Sequence, residues 1–229
     1  MADGNGSLDY LFGGASDKAV TNYTPDGGLL TSDGQGNYSF DAASKYAKYN
    51  GNSNRFELTK QTQSGDRNPL FTPFGNDSDD NRYSFGMNLR ADFYMPKDGK
   101  VNNQNMVFDF TGDDDVWVFI DDVLVLDLGG IHQAIHGTID FATGNITYDR
   151  NQSYGSDRAT TINQAFSNAG KNWDSAAYKT HHLSFFYLER GDGGSNCKIS
   201  FNLPVKPSKA IDIEKQTLGT IPADQQFQF

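Results

Sequence analysis

The residues Thr111-Gly112-Asp113-Asp114-Asp115-Val116-Trp117-Val118-Phe119-Ile120-Asp121 set three consecutive carboxylates between two apolar segments. Met106-Val107-Phe108 and Phe110 lead in, Val116 to Ile120 follows at once, and after Asp121-Asp122 a second apolar run goes from Val123 to Leu126. Short runs rich in β-branched and aromatic residues predict strand, acidic loop, strand, tight Asp-Asp turn, strand. Apolar residues in both phases of Val116 to Ile120 predict a central strand covered on both faces.

Three adjacent aspartates at the mouth of a buried strand repel one another, and packing does not favour them there. A hard cation such as Ca²⁺ takes carboxylate and carbonyl oxygens and offsets that repulsion. The competing reading is a solvated acidic turn.

Three strings, FTGDDDVWVFIDDVLVLDLGGIH, GTIDFATGNITY and FFYLERGDGGSNCKISF, resemble the fibro-slime branch of the PA14 superfamily over roughly Tyr83 to Leu203. That superfamily includes the sugar-binding domains of yeast flocculins and epithelial adhesins and modules of bacterial surface proteins. The resemblance implies an all-β fold, a PA14-like antiparallel β-sandwich with one or two short helices. In the fungal adhesins two adjacent aspartates, joined by a cis peptide, hold a Ca²⁺ that binds a sugar's hydroxyls. Asp113-Asp114 match that pair best, because the family places another Asp seven residues after the second, where Asp121 stands. A register shifted to Asp114-Asp115 stays open.

One acidic loop leaves a Ca²⁺ short of its six to eight oxygens. In the fungal adhesins a second loop supplies an Asn side chain and backbone carbonyls. The candidate here is Glu189-Arg190-Gly191-Asp192-Gly193-Gly194-Ser195-Asn196, with Glu189, Asp192 and Asn196 as alternative side-chain ligands, and Ser195 and glycine carbonyls beside them. The glycines equally suit a plain turn, and Arg190 could pair with an aspartate instead of leaving it to a metal.

Composition bounds the function. The chain has 229 residues, a net charge of −10 and a pI near 4.7. Nucleic-acid binders present basic patches, so a phosphate-backbone partner is disfavoured, as is an anionic membrane surface. The single Cys197 cannot form an internal disulfide; in a strand it reads as a small buried hydrophobe rather than a nucleophile. No apolar stretch approaches the ~18 residues of a membrane span. Met-Ala-Asp-Gly-Asn-Gly has neither basic nor apolar leader character, so the protein is read either as cytosolic or as one whose signal peptide has been trimmed away.

Along the chain, 1–35 reads as a loose lead-in with one or two short strands. Residues 40–51 read as a short helix with Asp41 as N-cap and Asn50-Gly51 as its stop, and Phe56 to Thr59 as a strand. Asp77-Ser78-Asp79-Asp80 fails as an EF-hand loop, because Arg82 and Asn88 occupy the glycine and glutamate positions. Strands are expected at Tyr83 to Met95, Gly137 to Phe141, Ile146 to Tyr148, His181 to Leu188 and Lys198 to Leu203. Pro96 to Gly99 is a turn, and Thr160 to Ala169 a short helix closed by Gly170. His132 and His136 lack the glutamate of a zincin and read as polar loop. Trp173 is a candidate sugar-stacking residue or simply core. A glycosidase acid and base pair finds no carboxyl set apart from its neighbours.

Ala210 to Phe229 resembles the opening strands of a Cna B-type (SpaA-like) stalk domain, with 205–208 as linker. The expected division is thus 1–204 as ligand-binding domain (1–82 lead-in, 83–204 core) and 205–229 as linker and start of the stalk.

The resemblance, with these residues, implies a non-enzymatic, Ca²⁺-dependent glycan-binding module of a cell-surface adhesin. It would be extracellular, anchored to a Gram-positive wall through other regions, and monomeric within a longer protein. Its partner would be a glycan on a host, plant-fibre or microbial surface. Metal candidates are Asp113, Asp114, Glu189, Asp192 and Asn196; ligand candidates are Asp113, Asp114, Asp115, Trp173 and Asp192. The competing readings are a spacer in which Ca²⁺ only staples the fold, and an unusual carbohydrate hydrolase.

Overall fold

The structure, a computed structural model, describes residues 28–62, 70–75, 83–130, 132–149, 158–190 and 195–204. Over these residues the chain is an all-β sandwich whose strand pairs are antiparallel. One sheet has seven strands, in the order β1 (Thr31–Ser32), β2 (Tyr38–Asp41), β15 (Cys197–Phe201), β8 (Val107–Gly112), β11 (Ile135–Asp140), β12 (Asn145–Asp149) and β13 (Arg158–Thr161). The other has four, β10 (Val123–Leu128), β9 (Asp115–Ile120), β14 (Thr180–Glu189) and β5 (Phe85–Tyr94). The hairpins β3 (Lys45–Asn50)/β4 (Arg55–Lys60) and β6 (Lys100–Val101)/β7 (Gln104–Asn105) and the helix α1 (Ile162–Asn168) stand beside them.

Alternating side chains build the core between the sheets. Phe108 and Phe110 of β8 meet Phe185 and Tyr187 of β14, with ring centroids 5.4 Å apart for Phe110–Phe185 and 5.9 Å for Phe108–Phe185. All four, with Val116, Val118 and Ile120, are fully buried. Each such side chain contributes roughly 1.5–3 kcal/mol from burial. Gly137 of β11 has no side chain because Leu126 fills the place: a Cβ there would lie 2.9 Å from Leu126 Cδ2.

The Asp-Asp turn is a two-residue hairpin, closed by the pair Val123↔Ile120 with φ of +48° at Asp121 and +61° at Asp122. Two central residues with positive φ match the right-handed twist of the flanking strands, and aspartate tolerates that conformation. The expected short helix is α1, with Thr161 Oγ1 accepting from Gln164 N at 3.1 Å and Gly170 following at φ +69°.

Two expectations are corrected. Residues 40–51 are not a helix. Asp41 closes a turn by accepting from Ala43 N at 2.8 Å, and β3 then pairs residue by residue with β4, from Lys45↔Lys60 to Asn50↔Arg55. Tyr49 N also donates to Pro73 O; these non-local partners outweigh local helix propensity. The strand Val116 to Ile120 is interior to its sheet but, among the described residues, its two faces differ: Val116, Val118 and Ile120 point into the core, whereas Trp117 and Phe119 are half-buried on the outer face.

Candidate functional site

The acidic loop lies at one end of the sandwich, where the chain crosses from β8 in one sheet to β9 in the other. Strand register brings two further crossings alongside. Gly112 at the end of β8 is paired with Ile135 on one side and Cys197 on the other, and Asp115 at the start of β9 is paired with Leu188. The connections β10–β11 and β14–β15 therefore flank Asp113-Asp114-Asp115.

Each aspartate holds one of these crossings. Asp113 Oδ1 accepts from Asn196 N at 2.6 Å, and Asp114 Oδ2 accepts from Arg190 N at 2.8 Å. Asp115 Oδ1 accepts from Gly130 N at 2.5 Å and from Arg190 Nη2 at 2.9 Å, while Arg190 Nε lies 2.5 Å from its Oδ2. Asp114 takes the turn at φ +65°. Gly112 permits the approach of the second loop, since a Cβ there would lie 2.9 Å from Asn196 O.

These carboxylates are not a solvated turn: Asp113 and Asp114 are 6% exposed and Asp115 4%. Arg190 neutralises Asp115 alone. Burial holds the Asp113 carboxyl above its ordinary range, against the Asn196 N–H that lowers it, and the Asp114 charge adds to the rise. Glu189, 1% exposed at the end of β14, is pushed up to about 8, first by burial, with the charges of Asp114 and Asp113 adding. Tyr187 Oη donates to Glu189 Oε2 at 2.9 Å and lies 3.2 Å from Ser195 Oγ, which donates to Phe71 O. One carboxyl is thus set apart from its neighbours after all, but it is enclosed by Tyr187 and Ser195 rather than presented to a substrate.

A hard cation fits the chemistry of this set in part. Main-chain N–H groups engage one oxygen each of Asp113 and Asp114, and Asn196 lies against Asp113 by its main chain. No group of three or more His, Cys, Asp or Glu among the described residues is gathered closely enough to hold an ion as it stands. Asp192 and its neighbouring glycines, 191–194, fall outside the described residues, as do the acidic cluster 77–80 and the stalk-like segment 205–229.

The structure does not bring Trp173 to this site. Its ring lies 4.3 Å from His181 and 5.1 Å from Phe166, at the end of β14 remote from Glu189. Asp121 is at that far end too, where its Oδ2 lies 2.6 Å from His181 Nδ1 and its Oδ1 accepts from His182 N at 3.0 Å. The tryptophan on the strand that leaves the acidic loop is Trp117, two residues beyond Asp115 and paired with Phe186. Strand parity could have pointed to it, but its apolar run masked the signal. His132 and His136 are separately engaged: His132 Nε2 lies 2.8 Å from Leu128 O, and His136 Nε2 lies 2.6 Å from Asp109 Oδ2. Cys197 is a buried free thiol whose pKa burial pushes well up, as suits a small hydrophobe.

No family model matches the chain, and no solved structure matches it significantly. The chain is similar to psi proteins of Dictyostelium discoideum. It is 36% identical to protein psiF over 127 residues, 56% of this chain and 15% of psiF. It is 35% identical to psiI over 101 residues, 44% of this chain and 13% of psiI. A shorter segment of 47 residues is 53% identical to psiG, covering 20% of this chain and 7% of psiG. The chain therefore shares a segment with proteins several times its own length.

Proposed function

We propose that this chain is a Ca²⁺-dependent glycan-binding module of a cell-surface protein, of the PA14-like, fibro-slime kind, carried on a stalk that begins near residue 205. The observation that supports it is the charge balance at the acidic loop. Asp113 and Asp114 are buried next to each other, while the guanidinium that pairs with this loop, that of Arg190, is spent on Asp115. A divalent ion would supply the missing counter-charge and offer open coordination positions to vicinal hydroxyls.

Asp113 and Asp114 would hold the ion with carboxylate oxygens, and the Asn196 amide would add to them. Asp115 and Arg190 position the loop, and Glu189 forms its hydrogen-bonded floor. No bond-making step is assigned to any of them. Affinity for a single sugar would be weak and raised by display in many copies. The test is a glycan array probed with Ca²⁺ and with chelator, for the natural chain and for the Asp113→Asn/Asp114→Asn pair. Retention by a glycan that is lost in both controls supports the proposal; a blank array in Ca²⁺ overturns it.

A second reading has its own support. Because three crossings meet at the acidic loop, an ion there would staple the sheets whether or not a sugar binds. A blank array with a Ca²⁺-raised melting temperature selects this reading.

A further inference from the structure

The outer face of the four-stranded sheet carries a second feature, away from the acidic loop. A cleft of about 730 Å³ opens there, lined by Arg90, Asp92, Phe119, Asp122, His182, Ser184 and Phe186, with Ala91 and Leu183 beneath. Register explains the lining. His182, Ser184 and Phe186 alternate along β14 and share one face; Ser184 pairs with Arg90 on one side and Phe119 on the other, and His182 pairs with Asp92. Phe119 and Phe186 stand perpendicular, centroids 5.7 Å apart, so one presents a face where the other presents an edge. Around them stand a guanidinium, carboxylates and an imidazole. His182 Nε2 lies 3.6 Å from Asp122 Oδ1, His182 Nδ1 lies 3.3 Å from Asp121 Oδ1, and Arg90 and Asp92 are neighbours on the same face of β5.

An open cleft with a small aromatic patch and a ring of mixed donors and acceptors shares the lining chemistry of a small-ligand site. The two lining carboxylates, Asp92 and Asp122, disfavour a strongly anionic ligand, and the Arg90 guanidinium a strongly cationic one. An apolar ligand would leave Arg90, Asp92 and Ser184 without partners. What suits both halves is a molecule with an apolar C–H face and hydroxyls around its edge. We infer that this cleft binds a neutral saccharide, with a pyranose ring against Phe119 and Phe186 and hydroxyls on Arg90, Asp92, Ser184 and His182. No metal ligand takes part, so the site is independent of the Ca²⁺ reading.

The test uses the whole chain in chelator, titrated with cellopentaose, laminaripentaose, maltopentaose and chitopentaose and followed by calorimetry. One or more of these is expected to bind, with affinity reduced tenfold or more in Phe119→Ala and in Arg90→Ala. Arg90 is exposed, so its variant keeps the test valid if Phe119→Ala unfolds. No binding in chelator by any of the four overturns the inference. So does binding that Arg90→Ala leaves intact.

Discussion

Arg190 grips Asp115 with two nitrogens, Nε at 2.5 Å from Oδ2 and Nη2 at 2.9 Å from Oδ1. This fork fixes which carboxylate the protein neutralises by itself, and ties the start of β9 to the loop that leaves β14. Removing the guanidinium strands a buried carboxylate, so Arg190→Ala should cost about 1–3 kcal/mol. Arg190→Lys should recover only part of that, because an ammonium cannot match both oxygens. Urea denaturation of the two variants measures it.

Calcium should act through Asp113 and Asp114. At a hundredfold excess over Kd, a single bound ion stabilises by about 2.7 kcal/mol, or about 5–10 °C in Tm for a domain of this size. Asp113→Asn/Asp114→Asn should lose that increment. In chelator the pair should be as stable as the natural chain or more so, because each Asn keeps an acceptor for the main-chain N–H while the mutual repulsion goes. Scanning calorimetry with and without Ca²⁺ decides.

Glu189 predicts a pH dependence of defined sign. Its carboxyl titrates near 4.5 in the unfolded chain and is pushed up to about 8 in the fold. Between those values the unfolded chain has released a proton that the folded chain keeps, so stability falls as pH rises through this window. The slope from this group is at most about 1.4 kcal/mol per pH unit. Glu189→Gln should flatten the decline seen in chelator between pH 5 and 8, and a bound ion, by favouring the carboxylate, should flatten it as well.

Gly112→Ala should damage the acidic loop specifically. The added methyl would stand 2.9 Å from Asn196 O and 2.5 Å from Phe110 Cζ, so either the β14–β15 crossing or the core ring must move. A loss of about 1–3 kcal/mol is expected, together with loss of the Ca²⁺ response. Trp173→Ala, by contrast, should lower stability through its packing on His181 and Phe166 while leaving the Ca²⁺ shift intact. Parallel Tm measurements of both variants separate site from scaffold.

The strand, acidic loop, strand and Asp-Asp turn were legible because run length and turn chemistry are local properties, and Asp121-Asp122 sit where a two-residue hairpin needs them. The helix expected around Asp41 was not there, since Asp41, its alanines and its lysines carry no sign of the partner strand β4 or of Pro73. Which carboxylate Arg190 would choose depends on the register Leu188↔Asp115, a non-local fact. The same holds for Trp173, which only the fold places at the end of the sandwich opposite the acidic loop. The raised Glu189 carboxyl reflects enclosure by Tyr187 and Ser195, which no spacing reveals.

The three crossings that converge on Asp113, Asp114 and Asp115 make that end of the sandwich the seam by which its two layers are buttoned. If an ion occupies the seam, chelation should loosen it before the opposite end, where Asp121 clasps His181 with no metal. Amide exchange in chelator would then quicken first around Gly112 to Val116 and Leu188 to Cys197. A tug that parts the layers there would release any bound ligand before the domain unravels.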